Sequence, residues 1–334
     1  MAKTIGIDLG TAYTRFCLGK EGIVLRAHSV LSIENKNNQV LAAGAEARRM
    51  IGRTPANISA VKPIRGGIVS NVEHASLLIE AFMDQAELSS TFRRPTVLSA
   101  IPFGASESER RAVEDAIFEA GASTVLLTEA PLAAAIGAGM KVMSARGAML
   151  VDIGAGTIEV AVISHGGIVI SSALKTAGEA MTDAVIRSVI ENHSVLIGEI
   201  TAESLKVKLG TLSTADRGSI EVCGKSTRMG SAAKATVSSG ELREALLPYA
   251  ENIVKTIRSA LEAMPPELSS DISDYGIMIC GGGSLLPGLT EYIKNALGMN
   301  VARAKEPRDC VCLGINRILS GGSEMRRFIC SRSK

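Results

Sequence analysis

An apolar run that ends in Asp-x-Gly occurs twice in this chain, and the same pattern follows both copies. Residues 4–7 lead into Asp8-Leu9-Gly10-Thr11, and residues 149–153 lead into Asp152-Ile153-Gly154-Ala155-Gly156-Thr157. After the first come β-type runs at 14–19 and 22–26, joined by the turn Lys20-Glu21-Gly22; after the second come runs at 159–164 and 168–172. A third apolar run, 276–280, enters Gly281-Gly282-Gly283-Ser284. Helical patterns alternate with these strands. Residues 71–86 place Val72, Ala75, Leu78, Ile79 and Phe82 on one face behind a cap at Asn71 or Ser70. Residues 106–120 open on Ser106 and Glu109 at capping-box spacing. Strands are expected at 96–101 and 125–127, and a small-residue helix at 131–138. Later helices are expected near 179–193, 202–209, 239–264 and 289–297, whereas 35–38 reads as a polar turn and 53–63 as loop. The alternation predicts an α/β protein, and the repeat predicts duplicated halves facing each other across a cleft.

The chain's 334 residues suit two domains of ordinary size, and 46% hydrophobic against 21% charged residues is the balance of a folded protein. A net charge of +2, 3% aromatic residues and no Trp argue against a nucleic-acid binder. The cysteines are Cys17, Cys223, Cys280, Cys310, Cys312 and Cys330, with no CxxC pair, which reads as reduced thiols in a cytosolic protein. No secretory signal is read at the start, where the apolar run 5–9 is interrupted by Asp8. The longest apolar candidate, 130–140, falls short of the ~18 residues a membrane span needs. The expectation is a soluble protein, with room to lie on a membrane surface.

Glycine lets a backbone approach a phosphate closely, and the N–H groups of such turns form anion-binding nests. Asp8 and Asp152, at the strand ends, suit Mg²⁺, which keeps several waters and binds through few carboxylates. One Asp-x-Gly is a common hairpin turn; three glycine turns in this order, each after a strand, are far more specific. Competing motifs fail. Gly224-Lys225-Ser226 resembles the end of a P-loop, but its leading glycine position holds Ser219. Gly154-Ala155-Gly156 runs to Glu159 where a dinucleotide fingerprint needs glycine. No HExxH or GxSxG is present, and His28, His74, His165 and His193 are scattered as surface or packing residues.

With these motifs in place the chain resembles the MreB family of bacterial actin-like proteins along almost its whole length. Ile7-Asp8-Leu9-Gly10-Thr11-Ala12 resembles the family's first phosphate loop, and Val151-Asp152-Ile153-Gly154-Ala155-Gly156-Thr157 its second. Gly52-Arg53-Thr54-Pro55-Ala56-Asn57-Ile58 matches a small-subdomain segment. Ile197-Gly198-Glu199, with Thr201-Ala202-Glu203 and Lys206, is similar to the segment that meets ribose and adenine, and Cys280 to Leu286 resembles the adenosine loop.

The resemblance implies an actin-like fold, two lobes each with a ribonuclease-H-like core and a small inserted subdomain, with ATP and Mg²⁺ in the cleft. Carried onto this chain, residues 1–140 with 309–334 form domain I (insertion about 33–65) and 141–308 form domain II (insertion about 183–240). Nucleotide contacts fall on Gly10, Thr11, Ala12, Tyr13, Gly154, Ala155, Gly156, Thr157, Glu203, Lys206, Gly281, Gly282, Gly283 and Ser284, with Asp8 and Asp152 holding Mg²⁺ through water. It implies head-to-tail filaments at the inner face of the cytoplasmic membrane, organising cell shape and wall synthesis. A head-to-tail contact is heterologous and need not close. The implied partners are the chain itself, a related actin-like protein, the membrane surface and membrane morphogenesis proteins. Residues 88–92, ahead of Arg93 and Arg94, occupy the place of a lipid-inserting loop, and Arg326-Arg327-Phe328-Ile329 adds charge beside apolar groups.

Two positions depart from the family pattern. Tyr13 puts a phenol where the family has asparagine. Ala130, in Glu129-Ala130-Pro131, replaces the glutamate credited with orienting the attacking water, leaving Glu129 as the nearest carboxylate and implying a slow ATPase at most. Magnetosome-type actins are the alternative family. A monomeric ATP-dependent enzyme of the same superfold, such as a sugar kinase, is the alternative class, though no base stands out for it. A heat-shock-type chaperone lacks its second domain here. Pelleting with ATP favours the filament; phosphate transfer to a small acceptor favours the kinase.

Overall fold

Alternation of apolar and small residues starts the first sheet, in a computed structural model that describes residues 4–88 and 94–333. In β1 (Thr4–Leu9) Ile5, Ile7 and Leu9 enter one core. β2 (Tyr13–Leu18) and β3 (Gly22–His28) follow as an antiparallel meander. The chain then builds a separate small sheet from β4 (Leu31–Glu34), β5 (Val40–Ala43) and β6 (Ile58–Val61), in the order β5-β4-β6, with the short helix α1 (Ala45–Met50) between the last two. β6 falls inside 53–63, expected as loop; its pairing with β4 overrides the local turn signals. A two-stranded ribbon, β7 (Ile64–Arg65) and β8 (Ile68–Val69), leads to α2 (Val72–Gln85), whose Asn71 side chain accepts from His74 N. β9 (Thr96–Ile101), α3 (Glu107–Glu119), β10 (Thr124–Glu129) and α4 (Ala130–Gly137) complete this half, and the Ser106–Glu109 capping box is present.

The second half repeats the plan. β11 (Ala148–Ile153), β12 (Ile158–Ser164) and β13 (Gly167–Leu174) form a meander, followed by α5 (Gly178–His193), β14 (Val195–Leu196) and α6 (Glu199–Leu209). β15 (Ser219–Ser226) and β16 (Ala232–Ser238) make a hairpin with β14 at its edge. The P-loop-like Gly224-Lys225-Ser226 is thus strand, with no loop to hold a phosphate. α7 (Ser239–Glu262) starts on a second capping box, Ser238 with Glu241, and α8 (Pro266–Tyr275) follows it. β17 (Ile277–Cys280), α9 (Leu289–Leu297) and β18 (Val301–Arg303) finish the half.

The main sheets run β3-β2-β1-β9-β10 and β13-β12-β11-β17-β18, each with two antiparallel and then two parallel neighbours. The repeat at Asp8 and Asp152 is therefore a repeat of topology. The chain then returns: α10 (Cys310–Ser320) packs on α4, and β19 (Ser331–Ser333) covers β10 as a sixth, antiparallel strand. Gly137 and Gly314 let those helices touch at backbone distance; a Cβ on Gly137 would lie 2.8 Å from Gly314 N. Around them one buried cluster joins Leu98 and Leu132 of the first half to Leu150 and Ile163 of the second, so the joint between halves is packed core.

The tail departs from expectation. Phe328 is buried and Thr128 Oγ1 donates to its carbonyl at 2.7 Å, so this ring seats the tail on β10 and is not available to a lipid surface. Of the expected lipid-inserting loop, 89–93 lies outside the described residues. Among the described residues no helix is long and apolar enough to cross a membrane.

Candidate functional site

Both Asp-x-Gly turns close in the same way. Gly10 N donates to Tyr13 O at 3.1 Å, and Gly154 N to Thr157 O at 2.8 Å. A side chain at either glycine would strike that carbonyl: an added Cβ would lie 2.6 Å from Tyr13 O or 2.9 Å from Thr157 O. The turns face each other across a cleft of ≈ 660 Å³ between the halves. At its floor the halves meet through glycine, since a Cβ on Gly156 would come within 2.8 Å of both Gly66 Cα and Gly67 N. Thr11 Oγ1 accepts from Gly67 N at 2.9 Å and ties the first turn to the β7–β8 ribbon. The third turn leaves β17 at Gly281, whose φ of 78° favours glycine, and Gly281 N donates to Pro307 O at 2.8 Å. Gly282 beside it lines the cleft, and a Cβ there would meet nothing within 4 Å.

The two strand-end aspartates differ in their company. Asp8 is buried, which raises its pKa, but Arg15 opposes this: Arg15 Nη1 lies 3.2 Å from Asp8 Oδ2. Arg15 Nε also donates to Asp309 Oδ1 at 2.9 Å, and Arg26 Nη2 reaches Asp309 Oδ2 at 2.9 Å. Asp152 has no ion pair among the described residues. Burial first, and the charge of Asp8 second, push its pKa up to about 6, against the opposing influence of the Cys280 thiol and the charge of Arg15. Opposite Asp152 on the hairpin stands Glu159, 7% exposed, whose pKa burial and Asp152 push up to about 8. Its carboxylate has no hydrogen bond or ion pair with any described residue. On the far wall Lys206 Nζ donates to Gly178 O at 2.6 Å and Thr182 Oγ1 at 2.8 Å, and pairs with Glu203 Oε2 at 2.6 Å. Burial would raise the Glu203 carboxyl; Lys206 outweighs it and holds the pKa below the ordinary range.

Of the residues expected from sequence, Asp8, Gly10, Thr11, Ala12, Tyr13, Asp152, Gly154, Ala155, Gly156, Thr157, Glu203, Lys206, Gly281, Gly282 and Gly283 all line this cleft. Ser284 does not: it is fully buried and its Oγ donates to Gly281 O at 2.7 Å, bracing the loop from behind. Glu129 does not either. It stands at the N-cap position of α4 without a side-chain capping bond, and burial raises its pKa against the opposing charge of Arg110, on α3, while Ala130 is the neighbour that lines the cleft. Adjacent positions at a helix start point different ways. Sequence reading missed Arg15, Arg48, Gly178 and Glu159 as cleft residues. Glu159 was legible: two residues beyond Thr157 on a strand, it shares that side chain's face.

Tyr13 stacks on His28 with ring centroids 4.3 Å apart, and its hydroxyl lies 3.3 Å from His28 Nε2. The extra phenol is thus held by β3 at the edge of the turn.

The model of the MreB/Mbl protein family matches residues 2–327. This chain belongs to the MreB/Mbl family. The cell shape-determining protein Mbl of Bacillus subtilis (strain 168) is 39% identical over 319 residues, covering 95% of this chain and 96% of that one. The cell shape-determining protein MreB of Escherichia coli (strain K12) is 41% identical over 322 residues, covering 94% and 92%. Among solved structures, MreB 5 of Spiroplasma citri bound to AMPPNP superposes with a TM-score of 0.89 at 32% identity, covering 94% of this chain and 95% of that one. The MreB/Mbl match fixes the fold as actin-like and places the chain among actin-like cell-shape proteins; the magnetosome-type and monomeric-enzyme alternatives are not favoured.

Proposed function

We propose that the cleft binds ATP with Mg²⁺. The observation that carries this is the pair of Asp-x-Gly turns facing each other with backbone N–H groups and two buried carboxylates, Asp152 and Glu159, that have no ion pair among the described residues. Buried carboxylates are costly unless paired or bound to a metal. The donors fit a hard cation: oxygen only, few carboxylates, space for water. Asp152 and Asp8 would hold Mg²⁺ through water, and the metal would neutralise phosphate charge. The glycine turns would cradle phosphates, and Glu203 and Lys206 would meet the nucleoside. Relatives' nucleotides support the reading, since the Spiroplasma citri protein is bound to AMPPNP.

Hydrolysis is slow in this reading. A water in line with the terminal phosphate must be oriented by a side chain, and Ala130 presents a methyl group at the family's position. Binding survives because the turns and aspartates are intact. The chain would persist in the ATP-loaded state, as a filament component on its own or mixed with a related actin-like protein. Domain I would comprise 1–140 with 309–334 and domain II 141–308; the return of α10 and β19 to the first sheet supports that division.

Head-to-tail filaments at the inner face of the cytoplasmic membrane, together with membrane morphogenesis proteins, complete the proposal. Its test is sedimentation with and without Mg-ATP, with the pelleted material then floated on anionic liposomes. Pelleting that needs nucleotide, and flotation of the pellet, are expected. A supernatant unchanged by ATP over a wide protein range contradicts assembly, and filaments that stay at the bottom contradict attachment.

A further inference from the structure

Away from the packed joint at α4 and α10 and the glycine contact at the cleft floor, a further connection crosses between the halves. Lys62 follows β6 directly, in the small sheet of the first half. Its Nζ lies 3.1 Å from Glu179 Oε1 and also pairs with Glu199 Oε1. Glu179 is in the first turn of α5 and Glu199 in the first turn of α6. Those helices supply the second half's wall of the cleft through Gly178, Glu203 and Lys206. Acids in first turns are already favoured by the helix dipole, so what Lys62 adds is a tie to the other half. The side chains are 22%, 39% and 43% exposed for Lys62, Glu179 and Glu199, which leaves the tie partly screened and able to open. A second cation from the same region, Arg48 on α1, lines the cleft and acts on Glu203 across it.

We propose that Lys62 is a positioning residue that holds the cleft closed over bound nucleotide by tying the small sheet to the starts of α5 and α6, and so sets how long the nucleotide stays. The inference rests on the nucleotide reading above. One cation engaging two helices fixes their starts relative to β6 as well as to each other. If Lys62 instead formed only a surface pair, its removal would leave nucleotide exchange unchanged.

The experiment is displacement of a fluorescent ATP analogue from the full chain by excess ATP, in Mg²⁺. Lys62→Met should release the analogue about fivefold faster, the loss expected for two partly screened pairs. Raising salt tenfold should speed release from the parent and leave Lys62→Met nearly unchanged, because screening acts only where the tie exists. Lys62→Arg should release slowly, and Lys62→Glu combined with Glu199→Lys should be slower than Lys62→Glu alone. Should Lys62→Met fail to fold, Glu179→Gln with Glu199→Gln cuts the same tie from the other side and should be equally fast. Release at the parent's rate from Lys62→Met or the double glutamine variant overturns the tie and leaves nucleotide binding standing. A parent that takes up no analogue overturns the nucleotide reading and this role with it.

Discussion

The two Asp-x-Gly turns share backbone, hydrogen bond and topology, and burial raises the aspartate's pKa in both, yet only the first aspartate has an ion-pair partner among the described residues. In the first, Asp8 is matched by Arg15, which is shared with Asp309 and so linked to Arg26. In the second, Asp152 and Glu159 are buried side by side with no ion pair among the described residues; the charge of Arg15 only partly opposes the rise at Asp152, and both carboxyls are pushed towards their neutral forms. A duplicated scaffold thus carries one turn whose aspartate is paired with an arginine and one whose carboxylates have no ion pair among the described residues. In the proposed reading a metal would serve the second turn, whose two carboxylates the described residues leave unpaired. A like asymmetry appears along the cleft lining, where the first half offers Ala130 and the second offers Glu159.

The largest effect is expected from restoring a carboxylate to the first half. Ala130→Glu should raise phosphate release by about 10²–10⁴, the usual worth of a positioned acid–base group, with little change in ATP affinity. Single-turnover phosphate release checks this. A parent already as fast as Ala130→Glu, with activity abolished by Glu129→Ala, would make Glu129 the catalytic residue and remove the asymmetry.

Next in size is the strain of the uncompensated second turn. The Glu159 carboxyl titrates near 4.5 when free and at about 8 in the fold. Stability from its neutral form is therefore complete below the lower value and lost as pH rises through the higher one. Asp152, raised to about 6, acts in the same direction. Metal-free protein in chelator should melt lower at pH 8 than at pH 5, by on the order of a few kcal/mol, and Glu159→Gln should flatten most of that slope. Thermal melts followed by circular dichroism decide it; an equally steep slope in Glu159→Gln would mean the carboxylate is compensated after all.

Much of the scaffold that the two turns share could be read from the chain. The doubled strand-turn pattern around Asp8 and Asp152, the third turn at Gly281 and the Ser106 capping box are local signals, and local signals survive into the fold. What escaped depends on distant residues. β6 looked like loop because Pro55 and Pro63 flank it, and only its pairing with β4 makes it a strand. α10 has a short periodic run, and its place on α4 comes from a return of the chain that no local pattern announces. Phe328 beside Arg326 and Arg327 suggested a membrane-facing tail, whereas the ring is seated on β10. Arg15 and Asp309 lie far apart in the chain, so their pairing, and the difference between the two aspartates, could not be read from spacing.

In the proposed reading the second turn is completed by a metal-bound nucleotide. Titration calorimetry of ATP into the parent, Asp8→Asn and Asp152→Asn, each with Mg²⁺ and again in chelator, tests it most directly. Mg²⁺-dependent binding is expected of the parent, with a loss of about 10–100-fold in Asp152→Asn, as for groups that orient a metal's ligands, and a smaller loss in Asp8→Asn, whose partner Arg15 remains. No heat from ATP in the parent, or binding that ignores both Mg²⁺ and Asp152→Asn, would contradict it.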